Sequence, residues 1–177
     1  MCRKSKIVAG DLKGCKEKMR LYHGSNVEVA LPKLMPSVRA LDFGRAFYLT
    51  SDSGQAARWA RTAVLRRGEG AAVVSVYEFD EAAASSLKTL CFDKPDAAWL
   101  KYVTRNRTGI PVEIDYDIVS GPVANDNTMP VLNLYFKGAY SEEEALRRLL
   151  PQRLKDQFAM KTDAALGCLT FLEGQRV

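Results

Sequence analysis

Histidine is almost missing from this chain: His23 is the only one in 177 residues. Cysteine is sparse as well. Cys2, Cys15, Cys91 and Cys168 form no Cys-x-x-Cys pair. With a single imidazole beside them there is no zinc set at ligand spacing, and no structural metal is expected. Scattered thiols of this kind read as reduced cysteines of a cytoplasmic protein. No run of about 18 apolar residues occurs, so no membrane-spanning helix is expected. The basic start Met1-Cys2-Arg3-Lys4-Ser5-Lys6 is not followed by the apolar core of a secretory signal. Internal repeats and low-complexity tracts are missing too, which sets aside solenoids and disordered scaffolds.

What is present is the composition of one globular domain: 47% apolar and 27% charged residues, in a length sufficient to bury a core. The charge is unevenly placed. Residues 1–20 hold seven basic and two acidic side chains, a net of +5 that equals the net charge of the whole chain. Residues 21–177 are therefore neutral, and the isoelectric point near 9.0 belongs to the leader. We expect a basic extension over residues 1–18 and one domain over 19–177. The extension reads as a solvated tail, as a nucleic-acid contact, or as the product of an upstream translation start.

Two stretches stand out. Leu21-Tyr22-His23-Gly24-Ser25 is a short apolar run that ends in His-Gly-Ser, the pattern of a strand opening into a turn. Asp42-Phe43-Gly44-Arg45-Ala46-Phe47-Tyr48-Leu49-Thr50 enters a second β-prone run through Gly44. If the two runs lie side by side, an imidazole and a phenol face one cleft. Taken alone, a single His is more often a hydrogen-bonded structural residue, and a strand Tyr is more often core.

Further along, Ser51-Asp52-Ser53 with Gln55 reads as an N-cap and capping box for a helix over about 53–67. Ala56, Trp59, Ala60 and Ala63 share one face of it at helical spacing. Residues 71–80 form the most convincing strand, apolar enough to be central in a sheet. Residues 87–92 alternate as a further strand. A helix follows from Asp93-Lys94-Pro95-Asp96 to about Arg105, with Trp99, Leu100 and Val103 inward. Arg105 and Arg107 at its end read as a solvated terminus or as phosphate contacts. Residues 116–124 form a strand broken by Gly121-Pro122. A helix over about 141–150 begins with three glutamates that suit its dipole. Residues 156–162 read as a strand, Asp163 as the cap of a short helix, and 170–172 as the strand that closes the sheet. Residues 26–41, with Pro32 and Pro36, read as a loop leading through Arg39 and Leu41 to Asp42. The class is α+β with a split mixed sheet.

The ordered set Tyr22-His23-Gly24-Ser25, then Gly44-x-x-Phe47-Tyr48-Leu49-Thr50, then a helix bearing an aromatic resembles the NAD-binding half of the ADP-ribosyltransferase fold. The variant it is similar to is that of diphtheria toxin and the poly(ADP-ribose) polymerases. It resembles still more a family of small bacterial proteins of that superfamily, over about Met19 to Phe171. The resemblance implies an NAD-dependent mono-ADP-ribosyltransferase that releases nicotinamide and moves ADP-ribose to a protein or nucleic-acid acceptor. It also implies a role as a bacterial toxin or conflict effector held in check by a neutralising antitoxin.

By the same resemblance, His23 hydrogen-bonds the adenosine ribose. The Gly24 backbone takes the carboxamide, and Ser25 lies near ribose hydroxyls. Tyr48 and Trp59, eleven residues apart, sandwich the nicotinamide; the residue-based alternative makes Trp59 the core anchor of its helix. Glycine at position 24 also fits close approach of a ligand to the backbone.

Two departures qualify the resemblance. Ala46 stands where the polymerases usually have Gly. Gln157, in Asp156-Gln157-Phe158-Ala159-Met160, stands where the family has the glutamate that binds the nicotinamide-ribose 2′-hydroxyl. An amide can bond a hydroxyl but carries no charge to stabilise an oxocarbenium-like transition state. That departure argues against chain elongation and keeps open a second reading, an NAD- or ADP-ribose-binding module of weak or no activity. Asp156 should point to the opposite strand face, and Asp126 is the carboxylate considered as a substitute. Restoring the acid by Gln157→Glu is expected to raise turnover.

Overall fold

Val73–Phe79, buried at six of its seven positions, runs through the middle of a three-stranded sheet. The computed structural model describes residues 19–35, 41–110, 115–125, 127–152 and 154–177. The expectations for the 1–18 leader, Arg39 and Asp126 lie outside the described residues. In chain order the elements are β1 (Met19–Ser25), β2 (Phe47–Leu49), α1 (Ser53–Arg67), β3 (Val73–Phe79), α2 (Glu81–Ala84), β4 (Thr89–Cys91), α3 (Ala97–Thr108), β5 (Ile118–Pro122), α4 (Met129–Phe136), α5 (Glu142–Leu149), β6 (Asp156–Met160), α6 (Asp163–Leu166) and β7 (Leu169–Arg176).

The class is α+β with two sheets. One has the order β1-β3-β7, and both of its pairings are antiparallel. The other has the order β2-β6-β5-β4; it is mixed, because β4 pairs parallel with β5. A single bridge between Tyr22 and Thr50 ties β1 to the β2 end. Its two backbone bonds are 2.9 and 3.0 Å long. This bridge brings the His23 stretch beside the Tyr48 stretch.

Two large apolar clusters hold the sheets. Leu21, Phe47, Leu49, Tyr77, Phe79 and Met160 pack between them. Phe43, Trp99, Leu100, Val103, Val119, Leu132, Leu149 and Ala159 join the second sheet to α3, α4 and α5. Burying such side chains stabilises the fold by roughly 1.5–3 kcal/mol each. A third, small cluster of Ala56, Val74 and Val76, with Tyr22 and Ala57 against it, seats α1 on the first sheet.

The helix caps follow local chemistry with two corrections. Asp52 caps α1, its Oδ1 accepting from the Gln55 N–H at 2.6 Å. Gln55 does not complete a capping box: its side-chain amide donates to the Asp156 backbone carbonyl at 2.8 Å. A long-range acceptor has replaced the local one. At α6 the cap is Thr162, whose hydroxyl accepts from the Ala165 N–H, and Asp163 is the first helical residue. β7 also runs well beyond the expected 170–172, pairing with the whole of β3.

Candidate functional site

His23 lies on β1, and consecutive residues of β2 hold its ring. Phe47 stacks on the imidazole, with centroids 4.3 Å apart. The Nδ1 atom lies 2.7 Å from the Tyr48 backbone oxygen. A carbonyl only accepts, so Nδ1 carries the proton, and in the neutral ring Nε2 presents a lone pair. Burial lowers the His23 pKa below its ordinary 6.5, and the nearby Arg67 charge adds to this, against the backbone bond that raises it. The ring is thus held neutral, with Nε2 an acceptor suited to a hydroxyl.

Tyr48 is fixed differently. Its hydroxyl donates to the Gly44 carbonyl at 2.7 Å and accepts from the Phe43 N–H at 3.1 Å. Burial, above all, drives its pKa far up from the usual value. The phenol is therefore no acid or base; it offers the face of its ring. Gly44 has φ +79°, which a residue with a side chain rarely adopts. That conformation turns the 41–44 segment back over Tyr48.

A cleft of about 370 Å³ opens here. It is lined by His23, Gly24, Leu41, Asp42, Tyr48, Trp59, Thr62, Ala63, Arg66, Arg107, Val123, Ala124 and Gln157. Five of the six residues singled out from the sequence lie on it; Ser25 does not. Ser25 is buried, and its hydroxyl faces the Asn26 side-chain oxygen at 3.5 Å. Trp59 is not the core anchor of α1: Ala56, Ala60 and Ala63 are buried while Trp59 is only partly covered.

The reason for glycine at position 24 also changes. A Cβ there would lie 1.9 Å from the Ala56 carbonyl oxygen and 2.7 Å from the Ala60 nitrogen. The missing side chain is required by the close seat of α1 on β1, rather than by a ligand. Ala46 packs against the second core cluster.

Two residues carry more than their sequence context suggested. Asp42 is only 4% exposed. Its Oδ1 takes Arg107 Nε and Nη2, both at 2.6 Å. Its Oδ2 accepts from the Ala124 N–H at 2.8 Å and Gln157 Nε2 at 2.9 Å. Arg107, expected as a solvated helix end or a phosphate contact, is instead the partner of a buried carboxylate. Only the chain-distant pairing reveals this; the adjacency of Asp42 to the Phe43-Gly44 turn was the one local hint.

Gln157 is 3% exposed. A carboxylate cannot donate, so the amide nitrogen must face Asp42, with a second, longer contact to Pro122 O at 3.4 Å. The amide oxygen has no protein partner among the described residues. A glutamate at position 157 would set two carboxylates at this 2.9 Å separation, and one of them would have to take up a proton. That repulsion is a physical argument against a gain in turnover from Gln157→Glu. Asp156 points away, as alternation requires, and its carboxylate accepts from Thr50 Oγ1, Ser51 N and Ser51 Oγ at 2.5–2.9 Å.

Among the described residues no helix is long and apolar enough to cross a membrane. A family model described as a protein of unknown function (DUF3990) matches residues 19–171. No curated protein and no solved structure matches.

Proposed function

The chain belongs to the DUF3990 family of proteins of unknown function, and from that premise we propose that it is an NAD-dependent mono-ADP-ribosyltransferase. The observation that carries this is the convergence of His23, Gly24, Tyr48, Trp59 and Gln157 from four elements on one cleft. The resemblance of these residues to the ADP-ribosyltransferase motifs supplies the substrate.

The chemistry suits the groups. The nicotinamide ring of NAD is flat and cationic, and aromatic planes bind such rings by stacking and cation–π attraction. Tyr48 and Trp59 are the planes. The neutral His23 accepts a hydrogen bond from a ribose hydroxyl through Nε2, and the Gln157 amide oxygen accepts one from another hydroxyl. In the reaction the bond between the ribose anomeric carbon and the nicotinamide nitrogen breaks, and its electron pair leaves with nicotinamide. A nucleophile on the acceptor, protein or nucleic acid, supplies a pair to that carbon and releases its proton to water. Catalysis here rests on orientation and on electrostatic stabilisation of the cationic transition state.

A toxin or conflict effector restrained by an antitoxin is the biological setting that the resemblance suggests. A second reading, a binding module for NAD or ADP-ribose, is favoured by one observation: position 157 is an amide whose nitrogen is committed to Asp42. The test is incubation with labelled NAD and a cell lysate. Nicotinamide release and transfer of label, both reduced in His23→Ala, support the transferase. Calorimetric binding of NAD without release supports the module. No binding and no release, with wild type and variant alike, sinks both readings.

A further inference from the structure

We propose that Asp42 carries the negative charge of this site, and that its carboxylate and the Gln157 amide act as one unit against the cationic end of the dinucleotide. The inference rests on the proposed NAD-binding function and deepens it. It identifies a charge-bearing, positioning residue that comes from a different part of the chain than Gln157.

Burying a carboxylate is costly unless its oxygens find donors. Asp42 has four, from three segments: two from Arg107 on α3, one from Ala124 after β5, and one from Gln157 on β6. The turn that carries it is fixed from behind as well. Lys161 Nζ donates to the Phe43 carbonyl at 2.6 Å, and the Tyr48 hydroxyl spans the Phe43 N–H and the Gly44 carbonyl. So rigid a mounting is more than solubility or a surface ion pair needs, and Asp42 is one of the residues that line the cleft.

The two oxygens differ. Oδ1 is gripped by the guanidinium, whereas Oδ2 meets only neutral donors, the Ala124 N–H and the Gln157 amide. The less compensated oxygen is therefore the one beside Gln157. Its hydrogen bond turns the Gln157 oxygen away from itself, as an acceptor, and polarises the amide in the same sense. The lone carboxylate of a cleft that Arg66 and Arg107 also line then lies beside the hydroxyl acceptor, without a carboxylate at position 157. An amide there is what the geometry requires, since a second acid would repel the first.

The charge can be read by comparing oxidised NAD, whose nicotinamide is cationic, with NADH, whose ring is neutral, and ADP-ribose, which has no ring. Each is titrated calorimetrically into wild type, Asp42→Asn and Asp42→Asn/Gln157→Glu, with nicotinamide release followed in parallel. In Asp42→Asn we expect ADP-ribose, which meets only the reoriented Gln157 amide, to lose affinity by a few-fold at most. The ratio of NAD to NADH affinity should fall about ten-fold, an electrostatic change of about 1.4 kcal/mol. The release rate should fall about 100-fold. The double variant places the charge at the other end of the same hydrogen bond and should recover part of the lost ratio.

An unchanged ratio in Asp42→Asn, with ADP-ribose binding intact, overturns the inference while the NAD reading stands. Equal loss of all three ligands also overturns it, because that is the mark of a purely structural residue. If wild type binds none of the three, the proposed function itself falls, and this inference with it.

Discussion

Substituting Gly24 by alanine tests the geometry that holds the cleft together. The new Cβ would meet the Ala56 carbonyl oxygen at 1.9 Å, where real Cβ contacts essentially never come under 3.0 Å. The obstacle is helix backbone, so no side-chain rotation can relieve it. Helix α1 must retreat by about 1 Å, or β1 must leave its register with β3 at Val74. Either route loosens the Ala56, Val74 and Val76 cluster. Overpacking of this kind costs about 1–3 kcal/mol, and a rigid backbone obstacle places the substitution at the upper end. For a domain of this size about 3 kcal/mol corresponds to a fall in Tm of roughly 6–12 °C. Because α1 also carries Trp59, Thr62, Ala63 and Arg66 into the cleft, affinity for NAD should drop along with stability. Thermal melts by circular dichroism and calorimetric titration measure the two effects. A Gly24→Ala protein that melts and binds as wild type does would show that α1 is not seated on β1 as described.

Three further outcomes are expected. Tyr48→Phe leaves the Phe43 N–H and the Gly44 carbonyl without their shared partner, and should cost about 1–3 kcal/mol in chemical denaturation while NAD affinity changes by no more than a few-fold, since the ring remains; a large loss of affinity would contradict the stacking role. Gln157→Glu should lose stability relative to wild type as pH rises from about 4 to 7. The introduced carboxyl, beside Asp42, has a folded pKa above its unfolded value, so its neutral form is tolerated at low pH and its ionisation is opposed at high pH; urea midpoints at pH 4 and pH 7 check the sign. His23, whose folded pKa is lowered from 6.5, binds its proton more readily unfolded than folded. Its contribution to stability should therefore be present above pH 6.5 and lost as pH falls below it, and His23→Gln should flatten that part of the wild-type stability–pH curve.

Sequence patterns near one another in the chain accounted for much of the fold. The apolar run of β3, the Asp52, Asp96 and Ser141 caps and the inward Trp99, Leu100 and Val103 are all set by residues within one or two turns. The pairing of the His23 and Tyr48 stretches was anticipated only as a condition, because a strand's neighbour is decided by distant chain. Where a side chain had a local and a remote partner to choose from, sequence reasoning erred toward the local one. Gln55 was assigned to its own helix cap and went to Asp156, and Arg107, read as a solvated helix end or a phosphate contact, went to Asp42.

The sequence alone determined an α+β class, an excess of positive charge confined to residues 1–20, and a short set of polar and aromatic residues worth testing. Tertiary structure decided where those residues lie and what they touch. It turned Ser25 into the interior and made glycine 24 a matter of helix packing. It locked the Tyr48 hydroxyl away and set the Asp42 carboxylate 2.9 Å from Gln157. The physical reason is range: caps and periodicity act within a few residues, whereas Asp42 and Gln157 are 115 positions apart and meet only in the folded chain.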